Sequence, residues 1–74
     1  FDVNAWFTGS VLNIKAQQEI AEVFVYDTMG VLLERITPMS ETAEIDASRF
    51  FAKTYIVKAI STSGKQASIK LIRN

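Results

Sequence analysis

The amino-acid sequence predicts an all-β protein, an Ig-like antiparallel β-sandwich of about seven short strands with Greek-key connections. Runs of β-branched and aromatic residues recur along the chain, and clusters of turn-forming residues separate them roughly every six to twelve positions. No segment carries an apolar stripe long enough to hold a helix against a core. The 74 residues, of which 49% are hydrophobic, suit one domain with its own core.

Four strands are predicted in the first half of the chain, at residues 3–7, 11–15, 20–26 and 31–36. Gly9 lies in the turn after the first strand, where a glycine can adopt positive φ. The polar residues 16–19 are predicted to connect the second and third strands. Asp27 and Gly30 enclose the next turn, in which the aspartate caps the backbone and the glycine takes the left-handed conformation.

The second half begins with a weaker strand. Pro38 has no N–H to donate to a ladder and is expected to end the preceding strand. The weaker strand covers residues 41–46. Residues 46–51 are predicted to form a single helical turn that Asp46 caps, too short for a stable helix.

The closing hairpin is the best-patterned part of the chain, with strands at 54–60 and 66–73 around a five-residue turn. Its apolar face is predicted to pair Val57 with Ile69 and Tyr55 with Leu71. Its other face is mixed and carries Thr54, Ile56, Lys58, Ile60, Ser68, Lys70 and Ile72. We expect the core of the sandwich to consist of Leu12, Ile14, Val23, Val25, Leu33, Ile45, Phe50, Tyr55, Val57, Ile69 and Leu71.

Composition narrows the classes of function. The chain has no cysteine and no histidine, and its eight basic residues balance eight acidic ones. We therefore expect no disulfide and no thiolate or imidazole catalyst. The zero net charge argues against a nucleic-acid partner, which a basic surface would attract. No apolar run reaches the ~20 residues of a transmembrane helix.

Carboxylates at strand ends are the remaining candidates for acid–base chemistry. Asp27 and Asp46 both begin turns, where aspartate caps the local backbone, so we expect both to be structural. Glu41, Glu44 and Asp46 form a solvated strand face, and the acidic loop of a calcium site is absent. The sequence thus predicts a protein that is not an enzyme and has no cofactor or metal.

Aromatic and basic residues offer two further alternatives. Trp6 and Phe7 could stack on a carbohydrate, although such a pair in a small β-domain more often belongs to the core and its lid. Tyr55 follows a corner and is expected to bury its ring while its hydroxyl bonds to the backbone. Lys70 and Arg73, near the end of the last strand, are either solvated charges or binding residues.

Short motifs follow one another in the segments VFVYDTMGVLLERI, AEIDASRFFAKTYIVKAI and GKQASIKLIRN. In this order they resemble the C-terminal sorting domain of the type IX secretion system of Bacteroidetes, the Por secretion tail, in a type A-like form. The matching residues are Asp27, Gly30, Ile45, Asp46, Ser48, Phe50, Tyr55, Gly64, Lys65 and Lys70, with Phe50 in place of the family leucine. The family glycine two residues before the tyrosine is Lys53 here, which implies either positive φ at Lys53 or a different corner.

The resemblance implies that residues 1–74 form a non-enzymatic sorting domain at the C-terminal end of a longer exported protein. Such a domain directs its cargo from the periplasm across the outer membrane through the type IX translocon. A sortase-like peptidase then removes it as the cargo is anchored at the cell surface or released. We expect the translocon to contact the C-terminal tail and the mixed face, at Ile56, Lys58, Lys70, Ile72 and Arg73. The exposed strand edges are expected to permit a homodimer.

An alternative function remains open at this point. The chain could be an Ig-like or fibronectin-like accessory module that spaces the domains of a surface protein. Trp6 and Phe7 would then give it a site for a glycan.

Overall fold

The computed structural model describes residues 1–73 and confirms an all-β, sandwich-like fold built from antiparallel strands. The strands are β1 (Val3–Thr8), β2 (Val11–Asp27), β3 (Leu32–Ile36), β4 (Ser40–Asp46), β5 (Thr54–Ser61) and β6 (Gln66–Ile72). Within the described residues we find no helical segment capable of crossing a membrane. Asn74, the last residue of the predicted C-terminal tail, lies outside the described part of the chain.

The 17-residue strand β2 corrects the predicted count of about seven strands to six. Residues 16–19, predicted as a connector, continue the strand. The register with β5 breaks between Ile20 and Glu22, where β2 contains an extra residue. Ile20 is buried before this bulge and Val23 after it, so the inward side switches from even-numbered to odd-numbered residues. The bulge lets one strand bend and serve both layers of the fold.

Strand β2 is central to both layers. Its residues 11–15 pair with β1 and with β4, which therefore lie on opposite sides of it. Its residues 23–26 pair in the same way with β3 and β5, and β6 extends that layer beyond β5. The chain thus forms one six-stranded sheet, which the bend in β2 folds into two layers. These two layers are described below as the two sheets of the fold.

The core lies between these sheets. Seven of the residues predicted for it are buried, namely Leu12, Ile14, Val23, Val25, Ile45, Tyr55 and Val57. The other four, Leu33, Phe50, Ile69 and Leu71, pack against the core while staying partly exposed. The prediction missed Ile20, which was expected to begin a strand, and the small residues Ala5, Ala16, Ala47 and Ala59.

The closing hairpin has the predicted register. Val57 lies opposite Ile69 and Tyr55 opposite Leu71. The backbone N–H of Ser61 donates to the carbonyl of Lys65 over 2.8 Å and closes the five-residue turn. Gly64 supplies the positive φ of 90° that this turn requires.

The two aspartates predicted to cap turns do so. Asp27 Oδ1 accepts hydrogen bonds from the backbone N–H groups of Met29 at 2.9 Å and Val31 at 3.0 Å. Asp46 Oδ1 accepts one from the N–H of Ser48 at 2.9 Å. The segment after Asp46 is a hydrogen-bonded turn without helical structure, which corrects the predicted helical turn.

The corner before β5 is built without positive φ at Lys53. Met39 is the one non-glycine residue within 1–73 that has positive φ, at 50°. The carbonyl of Lys53 instead accepts a hydrogen bond from the backbone N–H of Arg73 at 2.7 Å. This bond extends the β5–β6 ladder by one pair and fixes the corner against the end of β6.

Candidate docking face

The solvent side of β3, the second half of β2, β5 and β6 forms one continuous surface, which we call the outer face. Neighbouring strands hold these side chains in register because directly opposed residues of an antiparallel pair share a face. The outer face includes Glu22, Phe24, Tyr26, Leu32, Arg35, Thr54, Ile56, Lys58, Ile60, Ser68, Lys70 and Ile72.

The first row of the outer face places an aromatic ring between two cations. Phe24 lies opposite Arg35 on β3 and opposite Lys58 on β5. Arg35 Cζ is 5.7 Å from the centroid of the Phe24 ring, and Lys58 Nζ is 6.0 Å from it. Both distances are within the range of a cation–π attraction. The ring therefore stabilises two positive charges that remain accessible to solvent.

The second row continues the surface with an aromatic, an aliphatic and a basic residue. Tyr26 lies opposite Ile56, and Ile56 lies opposite Lys70. The rings of Phe24 and Tyr26 are stacked, with centroids 6.3 Å apart and planes 16° apart. Ile72, which is 60% exposed, adds apolar surface near the end of β6. Apolar and cationic groups thus lie side by side across the sheet.

The outer face is basic although the chain as a whole is neutral. It carries the three cations Arg35, Lys58 and Lys70 and a single carboxylate, that of Glu22. Glu22 is already paired, since its Oε2 accepts a hydrogen bond from Arg35 Nε at 3.0 Å. Among residues 1–73 this is the one ion pair, which leaves Lys58 and Lys70 without a carboxylate partner there.

The opposite charge collects on the solvent side of the other sheet. On β4, Glu44 lies opposite Asn13 and Asp46 opposite Val11, with Lys15 as the cation of the adjoining part of β2. The hydrogen bonds from the backbone and side chain of Ser48, with a further contribution from the charge of Arg49, lower the pKa of Asp46 below its ordinary value. Its carboxylate is therefore charged at neutral pH.

Arg73 does not belong to the mixed face on which it was predicted. Its guanidinium turns toward the core side and donates to the carbonyls of Ala47 at 3.0 Å and Phe50 at 3.1 Å. A longer bond of 3.3 Å reaches the carbonyl of Gly9. Arg73 follows the odd-numbered, inward residues of β6, whereas Lys70 and Ile72 follow the even-numbered, outward ones. The other four residues predicted to contact the translocon, Ile56, Lys58, Lys70 and Ile72, share the outer face.

Tyr55 has the corner geometry that the sequence predicts. Its ring is fully buried and lies 5.6 Å from the ring of Phe7 and 5.7 Å from that of Phe50. Its hydroxyl donates to the backbone carbonyl of Ala52. Five of the other motif residues, Asp27, Gly30, Asp46, Ser48 and Gly64, lie in or beside the turns and form no common site.

Trp6 and Phe7 do not form a joint stacking platform. As neighbours in β1 they point to opposite sides, and Phe7 packs against the core beneath Arg73. Trp6 is 42% exposed and borders an open groove of about 580 Å³ with Asn13, Lys15 and Glu44 among its lining residues. A carbohydrate would meet a single ring there.

Sequence reasoning missed Phe24, Tyr26 and Arg35 as parts of the surface. The signal was nevertheless present, because Val23 and Val25 were assigned to the core and the strand alternation puts Phe24 and Tyr26 on the other side. Arg35 had no such signal, since its place beside Phe24 depends on the register between β2 and β3. Its contact therefore had to come from the structure.

Comparison with known proteins identifies no relative. No protein-family model matches the chain, and neither a curated protein nor a solved structure matches it. Residues 1–73 contain no group of three or more acidic, histidine or cysteine side chains that could hold a metal ion.

Proposed function

We propose that the chain is a C-terminal sorting domain that directs an attached cargo across the outer membrane through the type IX secretion system. In this role it is not an enzyme. It is held in the periplasm during transit, is recognised there by the outer-membrane translocon, and is removed by a sortase-like peptidase when the cargo reaches the surface.

The motif residues behind the resemblance support this proposal by their structural roles. Asp27 and Gly30 build one tight turn, and Asp46 and Ser48 build another. Tyr55 anchors the corner between the second turn and β5. Each of these motif residues thus stabilises a turn or a corner of the fold, even though Lys53 replaces the family glycine.

The observation that carries the proposal is the outer face. Lys58 and Lys70 are charged groups without a carboxylate partner in the described chain, and they stand beside the exposed or half-exposed apolar residues Ile56 and Ile72. A surface that combines unpaired charge and apolar area is typical of a docking site. A secretion signal needs such a site, because it acts only by being bound.

A fusion protein tests the proposal. Residues 1–74 are joined to the C-terminal end of a periplasmic reporter and expressed in a Bacteroidetes strain with an intact type IX system, and in a matched strain that lacks the translocon. We expect the reporter on the cell surface or in the medium of the first strain and in the periplasm of the second. Equal reporter distribution in the two strains would contradict the proposal.

Point variants are better controls than truncation. Removing residues 68–74 would take away most of β6 and uncover Tyr55 and Val57, which pack against it. The truncated fusion would then fail because the domain unfolds, whatever its function. Variants on the outer face leave the core intact and separate recognition from folding.

The alternative of a retained accessory module is favoured by one observation, the exposed Trp6 at the edge of its groove. A retained module remains in the mature protein, whereas a sorting domain is removed. Mass spectrometry of the parent protein recovered from the cell surface distinguishes the two. Peptides from residues 1–74 support the module, and their absence supports the sorting domain.

A further inference from the structure

The strand register fixes the backbone spacing of the first row of the outer face. Neighbouring strands of a sheet are about 4.8 Å apart, so the backbones of Arg35 and Lys58, with Phe24 between them, are about 10 Å apart. Both cationic groups reach back over the Phe24 ring. A ligand that follows this row therefore meets two positive charges beside one aromatic ring, each supplied by a strand on a different side of Phe24.

We propose that the outer face binds an acidic segment of a partner protein, in which two carboxylates flank one apolar side chain. The apolar side chain lies on the stacked rings of Phe24 and Tyr26. The carboxylates contact Lys58 on one side and Arg35 on the other, in competition with Glu22 for Arg35. Lys70, in the adjoining row, accommodates a further acidic residue.

Charge complementarity selects this partner. The face has three cations against one carboxylate, and the ion pair of Arg35 with Glu22 is exposed to solvent, which makes it weak enough to exchange. A segment carrying only charge would leave Phe24, Tyr26 and Ile56 uncovered. A segment carrying only apolar residues would leave Lys58 and Lys70 uncompensated. An acidic segment with an apolar centre satisfies both parts of the surface.

This inference deepens the proposed function by naming the chemistry that the translocon would present, and it rests on that function only for the partner's identity. Binding is measured with the isolated chain, whereas secretion is measured in cells. If the acidic segment does not bind but the cargo is exported normally, the binding proposal is wrong. If the segment binds but the cargo is not exported, the proposed function is wrong.

The test uses three probes and the isotope-labelled 74-residue chain. The first is a blocked peptide in which two glutamates flank a leucine at alternate positions, with serines between them, so that all three side chains share one side of an extended backbone. The second has lysines in place of the glutamates. The third is a sulfated oligosaccharide, which provides negative charge without an apolar side chain. Nuclear magnetic resonance titration gives both the affinity and the residues that respond.

The acidic peptide should bind saturably, with shifts centred on Phe24, Tyr26 and Lys58, and its affinity should fall as salt is added. Lys58→Glu should weaken this binding by about fivefold or more, since it replaces an attraction by a repulsion. Lys15→Glu makes the same change of charge on the other sheet and should leave the affinity unchanged. Lys70→Glu provides a second variant on the outer face that does not alter the Phe24 contacts.

Three results would overturn the proposal. The lysine peptide could bind as tightly as the acidic one, or the sulfated oligosaccharide could bind more tightly. The second such result is that neither Lys58→Glu nor Lys70→Glu weakens binding of the acidic peptide. The outer-face signals could also shift with protein concentration alone, which would assign the face to the acidic strand β4 of a second copy.

Discussion

The guanidinium of Arg73 lies over the ring of Phe7, with its Cζ 4.7 Å from the ring centroid. The same group donates hydrogen bonds to the carbonyls of Ala47 and Phe50. Arg73 thus joins the end of the closing hairpin to β1 and to the turn after β4. Its charge stabilises the fold, and Lys58 and Lys70 are left as the basic groups of the hairpin's outer face.

Replacement of Arg73 should therefore destabilise the protein. We predict that Arg73→Ala lowers the free energy of unfolding by about 2 kcal/mol, because two charge-assisted hydrogen bonds and the contact with Phe7 are lost. Urea unfolding followed by circular dichroism measures the change. Lys70→Ala, a matched loss of one positive charge, should cost less than about 0.5 kcal/mol. Equal losses for the two variants would contradict the structural role of Arg73.

The hydroxyl of Tyr55 should contribute through its bond to the carbonyl of Ala52. We predict that Tyr55→Phe lowers the free energy of unfolding by about 1 kcal/mol, since the ring stays buried while one hydrogen bond is lost. Tyr26→Phe is the control, because Tyr26 is only half-buried on the outer face. Thermal unfolding of both variants gives the comparison. A loss for Tyr26→Phe as large as that for Tyr55→Phe would show that the corner bond adds nothing.

Met39 should be a site where glycine stabilises the protein. Its φ of 50° is costly for a residue with a side chain, and the side chain is 56% exposed. We predict that Met39→Gly raises the free energy of unfolding by about 0.5 kcal/mol, because relief of the left-handed strain exceeds the added chain entropy. Met29→Gly, at an exposed position without positive φ, should instead be neutral or destabilising. The urea midpoints of the two variants should move apart, and a parallel shift would refute the explanation.

Asp46 should make stability depend on acid pH. Its pKa in the folded protein is lowered by the hydrogen bonds from Ser48, relative to the ordinary value of 3.8. A lowered folded pKa means that the contribution is fully present above about 3.8 and is lost as the pH falls through the folded value. Unfolding curves between pH 2 and 6 for the wild type and Asp46→Asn should therefore converge at the acid end. Glu44→Gln, on the same strand, controls for loss of charge, and a constant difference for Asp46→Asn across this range would rule out the linkage.

The hairpin was predictable because its pattern is local. Tyr55, Val57, Ile69 and Leu71 alternate with residues of the mixed face on both sides of an evident turn, and this alternation determines the register. The continuity of β2 was not predictable in the same way. Its bulge reverses the inward side near Ile20, which makes one strand resemble two in the sequence.

The candidate site was likewise predictable only where it depends on local alternation. Phe24 and Lys58 could be placed on the outer face from alternation alone, since each lies beside residues assigned to the core. The inward side of Arg73 also follows from alternation, since Arg73 continues the odd-numbered residues of β6. Its partners Gly9 and Ala47 could not be predicted, because they are 64 and 26 positions away in the chain. Contacts at such distances depend on how the sheets close, which local patterns do not determine.

Surface display of the fusion protein with its outer face reversed in charge tests the central claim most directly. Lys58→Glu combined with Lys70→Glu should retain the reporter in the periplasm of the secretion-competent strain, while circular dichroism of the isolated domain shows that it is folded. Lys15→Glu combined with Lys53→Glu makes the same change of net charge away from the outer face and should leave display at the wild-type level. Normal display of the Lys58→Glu, Lys70→Glu fusion would contradict the claim that this face is the surface the translocon recognises.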